Sequence, residues 1–70
     1  MSYGTYTFAD VLRRDVIHVE TMRALVATAR HGLTQVTYGE ATMRAIQESN
    51  ELIVALDALV TDLSQRQAVA

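Results

Sequence analysis

One carboxylate, Asp15, stands among apolar residues, between Leu12, Val19 and Met22, and His18 follows it three positions on. On a helix that spacing sets both side chains on one side. It is the donor arrangement of carboxylate-bridged metal bundles, in which inward acid and histidine pairs from several helices share a metal. Such a site needs more inward carboxylates than this chain offers, because the inner side of its second half has only Thr42 and Ser49 as polar residues. The other reading of Asp15 is an ion pair, buried or at a subunit interface, that fixes register. Arg44 qualifies as a partner only if two antiparallel helices bring it near. No metal site and no cofactor are expected. Nucleophilic catalysis finds no support either: cysteine is absent, and Ser2, Ser49 and Ser64 have no histidine and carboxylate placed by spacing to activate them. Glu48 and Glu51 read as a solvated helix face, and no glycine-rich phosphate loop occurs. No catalytic residue is assigned, and the protein is not expected to be an enzyme.

The elements that position these residues follow from punctuation. Proline is absent, and glycine occurs only at Gly4, Gly32 and Gly39, leaving two long uninterrupted stretches. Thr7 and Asp10 form a capping box, and Tyr6 and Val11 take the positions of a hydrophobic staple. A first helix is therefore expected over about 8–30, ended at His31-Gly32-Leu33 by a Schellman stop with glycine at C′. Thr37 and Glu40 repeat the capping signature, so a second helix is expected over about 37–65. A connection this short makes the two antiparallel neighbours. The fold class is all-α, an antiparallel two-helix hairpin, in one domain spanning 1–70 with an arm at 1–6 and a frayed tail at 67–70.

At about 100° per residue, each helix carries an apolar stripe covering nearly half its circumference. The first includes Phe8, Leu12, Val16, Val19, Met22 and Val26; the second includes Tyr38, Ala45, Leu52, Ile53, Leu56, Leu59 and Leu63. A two-helix hairpin needs one narrow stripe per helix, and a chain of 70 residues lies near the lower limit for a self-sufficient core. The surplus calls for a partner, and a homodimer forming a four-helix bundle meets the need most simply.

Composition bounds the partners further. Apolar residues make up 50% and charged residues 20%, a globular composition. Net charge is −2: Arg13, Arg14, Arg23 and Arg30 against Asp10, Asp15 and Glu20 give +1 in residues 1–35, and Arg44 and Arg66 against Glu40, Glu48, Glu51, Asp57 and Asp62 give −3 in the rest. Neither half is a phosphate-binding surface. Residues 27–46 have a superficial helix-turn-helix look, but the second helix would offer DNA only Arg44 near its start, opposed by Glu40 and Glu48. Nucleic acid is not the expected partner; a small DNA-binding regulator is the alternative kept open. With no membrane-spanning run and no signal peptide, the expected location is cytoplasmic. What remains is outer surface rich in arginine, tyrosine and scattered apolar residues, the composition of a protein-binding patch: Arg13, Arg14 and Ile17 on the first helix, and Tyr38, Met43, Arg44 and Gln47 on the second.

A cysteine- and lysine-free chain of two long helices, with Arg13-Arg14 on the first and the turn Gly32-Leu33-Thr34-Gln35-Val36-Thr37-Tyr38 leading to the second, resembles the small helical-hairpin inhibitor proteins of Pseudomonas phages, the anti-quorum-sensing anti-activators. The resemblance covers the layout of the whole chain. It implies a dimer that occupies the surface of a host protein, a LuxR-type transcription activator and also a type IV pilus assembly ATPase. Anti-CRISPR proteins of the same phages are similar in size and offer a second implication of the same kind.

Overall fold

The computed structural model describes residues 7–69. They form two α-helices, α1 (Phe8–Leu33) and α2 (Glu40–Val69), packed against each other as an antiparallel hairpin. The N-terminal arm and Tyr6 of the expected staple lie outside the described residues.

The start of α1 follows the sequence closely. Thr7, in extended conformation, accepts a hydrogen bond from the Asp10 amide through Oγ1 at 3.1 Å, and its own amide donates to Asp10 Oδ2 at 3.2 Å. Two of the amides that a helix start leaves unpaired are thereby satisfied. Arg13 adds a bond to the other oxygen of Asp10 at 3.2 Å. The carboxyl of Asp10 is held below its usual 3.8, first by the Thr7 amide, then by the Thr7 hydroxyl, with the Arg13 charge contributing less.

The turn departs from the expected one. α1 does not stop at Arg30 through a left-handed glycine; Gly32 is helical, and the cap residue Thr34 keeps helical angles of φ −68° and ψ −16°. The chain instead tightens, with amides of Thr34, Gln35 and Val36 bonding to carbonyls three residues back, at His31, Gly32 and Leu33. Such a run uses up the carbonyls left free at a helix end. The extra turn also carries Leu33 into a half-buried position, which a stop at Arg30 would forfeit. α2 likewise starts later than its threonine signature suggests. Its first bond runs from the Met43 amide to the Gly39 carbonyl at 2.9 Å, so Gly39 takes the cap position and Tyr38 precedes the helix. The Thr37 carbonyl accepts from the Thr42 hydroxyl at 3.1 Å. At its far end α2 continues through Gln67–Val69, residues read from the sequence as tail.

Two polar contacts set the register. Arg23 Nε donates to Asp57 Oδ1 at 2.9 Å, and Arg30 donates to Asn50 Oδ1 at 2.8 Å, so facing positions have residue numbers that add to 80 in both. Between the helices lie the buried Leu12, Val19 and Ile53, flanked by half-buried Val16, Val26, Ala45, Ile46, Leu56, Val60 and Leu63. The inward hydroxyl of Ser49 is satisfied by its own helix, at the Ala45 carbonyl. Three buried side chains are a small core, and the shape explains why. The hairpin measures 58 × 22 × 12 Å, and its short dimension is about one helix diameter. Its radius of gyration of 16.6 Å exceeds the roughly 11 Å of a compact globule of this length.

Candidate interaction surfaces

A layer one helix thick has two broad faces, and the polar cross-links mark one of them. Stepping at about 100° per residue from the facing rows puts Asp57 and Asn50 on the same side as Arg13, Glu20 and His31 of α1 and Met43 and Thr61 of α2. The opposite side collects a second row from each helix. From α1 come Val11, Met22, Leu25 and Ala29, interrupted by Asp15 and His18; from α2 come Ala41, Leu52, Ala55 and Leu59. Because the helices run in opposite senses, these two rows fall on one face rather than on opposite ones. Met22 lies level with Leu59, and Leu25 is near the level of Ala55. Four large side chains stand open there: Met22 at 36%, Leu25 at 65%, Leu52 at 46% and Leu59 at 40% exposure.

Met22, Leu52 and Leu59, residues of the apolar stripes, therefore stand outside the core between α1 and α2. The stripes are wide because each contains two rows. One row meets the other helix and the other has no neighbour among the described residues. The total exposed area expresses the same thing: 5369 Å², about 1,000 Å² more than the roughly 4,300 Å² of a compact monomer of 7.7 kDa.

Asp15 and His18 sit on this apolar face. Neither side chain forms a hydrogen bond or ion pair among the described residues. Asp15 is half-buried rather than buried, and Arg44 is not its partner: the register sets Asp15 level with Gln65, about 31 Å along α2 from Arg44. No group of three or more potential metal donors occurs among the described residues.

The seven residues read as a protein-binding patch divide between the two ends of the hairpin. Arg13, Arg14 and Ile17 lie near the open end; Tyr38, Met43, Arg44 and Gln47 lie at the turn. At the register observed Arg14 is level with Arg66, about 33 Å along α2 from Arg44. At the open end Ile17 is 59% exposed and Arg13 is engaged with Asp10. The turn carries the denser set of large apolar groups. Tyr38 is 79% exposed, with Val36 at 52% and Met43 at 49% near it in sequence. Val36 was not among the residues read as the patch, since its place in a loop gave no periodicity to read.

The helix-turn-helix reading meets a different geometry, in which α1 and α2 lie side by side along their length instead of crossing at the roughly 90–120° of that motif. No helix among the described residues is long and apolar enough to cross a membrane. No known family model, curated protein or solved structure matches the chain.

Proposed function

We propose that the protein is a non-enzymatic binding module that works as a homodimer and acts by occupying the surface of another protein through the turn end of its hairpin. The observation that carries this reading is the exposure of Tyr38, with Val36 and Met43, beside Arg44. An aromatic ring and a guanidinium at the tip of a helical scaffold are the groups that most often dominate protein–protein contacts. Arg44 is held only loosely, 4.0 Å from Glu40, and is 70% exposed, so it is available to a partner's carboxylate. Dimerisation is supported by the surplus area, which is close to the roughly 800 Å² that each partner of a standard interface contributes.

The resemblance to phage anti-activators supplies the target class: a host transcription activator of the LuxR type, with the pilus assembly ATPase as a second target. Titration of purified activator DNA-binding domain with the full chain tests it. Saturable binding that Tyr38→Ala weakens by about tenfold or more is expected. Absence of binding by the wild type removes this target class, and equal binding by the variant removes the turn end as the contact.

A further inference from the structure

We infer that the apolar face carrying Met22, Leu25, Leu52 and Leu59 is covered by a second copy of this chain with both turn ends pointing the same way, so that α1 of each protomer lies across α2 of the other. The inference rests on the reading of the protein as a dimer and adds which face is used and how the copies are arranged.

The face suits a copy of itself. It lies along both helices of a layer 12 Å thick, and a second identical layer turns two two-helix sheets into a four-helix bundle in which the second row of each helix acquires a neighbour. On α1 the row Phe8, Val11, Asp15, His18, Met22, Leu25, Ala29 advances by alternating steps of three and four, the spacing with which a helix meets another along a shallow crossing.

Charge selects the arrangement. Asp15 and His18 interrupt the α1 row, and the register places them level with Gln65 and Asp62 of α2. On that stretch of α2, Arg66 and Asp62 form an ion pair at 3.0 Å and are themselves half open to solvent. With the two-fold along the long axis, α1 of one protomer faces α2 of its partner at the same level. Asp15 then meets the guanidinium that Asp62 already orients, and His18 meets the carboxylate of Asp62. With the partner reversed end for end, α1 faces α1, and Asp15 falls over the turn-proximal part of the partner's α1, where the residues of this face, Leu25, Ala29 and Leu33, include no cation. A carboxylate desolvated without compensation is strongly disfavoured, so the first arrangement is the one the sequence can build.

Three measurements on the full chain test this. Sedimentation equilibrium at micromolar concentration is expected to give twice 7.7 kDa; a monomer overturns both the arrangement and the dimer, and means that the face is covered from within the chain or not at all. Single-cysteine variants Met22→Cys and Leu59→Cys, mixed and mildly oxidised in this cysteine-free background, are expected to cross-link to each other. Cross-linking of Met22→Cys chiefly to itself overturns the arrangement while leaving the dimer standing. Asp15→Ala is expected to raise the dimer Kd by about tenfold through loss of the pair with Arg66. An unchanged or tighter dimer overturns the assignment of that pair.

Discussion

The two broad faces of the hairpin are built from the same two helices and differ in what each helix finds beside it. On one face Arg23 and Arg30 reach across to Asp57 and Asn50, and Arg13, Glu20, His31 and Thr61 share that face with Met43. On the other, Met22, Leu25, Leu52 and Leu59 stand exposed to water. The polar face is finished within one chain, since its groups satisfy each other or are solvated at little cost. The apolar face is left open by the described residues of the chain. The difference separates two tasks that a single wide hydrophobic stripe conceals: holding the hairpin together and presenting a surface.

Substitutions can break or sharpen this contrast. The largest effect belongs to the layer that both faces share. Ile53→Ala removes a side chain only 5% exposed and is expected to destabilise the fold by about 2–5 kcal/mol in urea denaturation. Next comes the contrast itself: Leu59→Glu sets a charge into the apolar face and should weaken self-association by about 100-fold, whereas Thr61→Glu, half a turn away on the polar face, should leave the sedimentation profile unchanged. Thr7→Ala, outside both faces, is expected to cost about 1 kcal/mol through loss of the cap, and Thr37→Ala close to nothing, since its hydroxyl caps no helix. The smallest effect lies on the polar face, where Arg23→Ala should cost less than about 1 kcal/mol, the pair with Asp57 being 43% and 55% exposed.

Acid provides a further check on the cap. Because the pKa of Asp10 is depressed in the folded state, its contribution is complete above the ordinary value of 3.8 and disappears as pH falls through the lowered one. Circular dichroism should show a loss of helix in that acid range that Asp10→Asn, already lacking the charge, does not show.

The helices themselves were legible because the absence of proline and two wide apolar stripes leave no other secondary structure available. Their ends were legible only where local chemistry decides. Thr7 and Asp10 close a box from side chains alone, with nothing packed against them to contradict it. The same signature at Thr37 and Glu40 fails because the chain has still to cross from one helix to the other, and Gly39 takes the cap instead. Gly32 carries the sequence mark of a helix stop, yet burying part of Leu33 against α2 draws α1 through it. Register was not legible, since it depends on pairs such as Arg23 with Asp57 and Arg30 with Asn50, distant in sequence and chosen by packing. For the same reason a patch assembled from exposed residues of both helices proved to be two patches at opposite ends. The division of each stripe into a row facing the neighbouring helix and a row facing water was hidden until the facing pairs were known.

The thinness of the hairpin bears on hydrogen exchange. In a layer 12 Å thick each backbone amide lies about one helix radius from solvent, and the free energy that opposes opening is limited to what a core of three side chains provides. Amide protons at the centre of α1, around Val19 and Met22, can then be protected no better than that small core allows while the chain is alone. Protection that grows with protein concentration would measure association at the apolar face, residue by residue, and would spread from the middle of the hairpin outward.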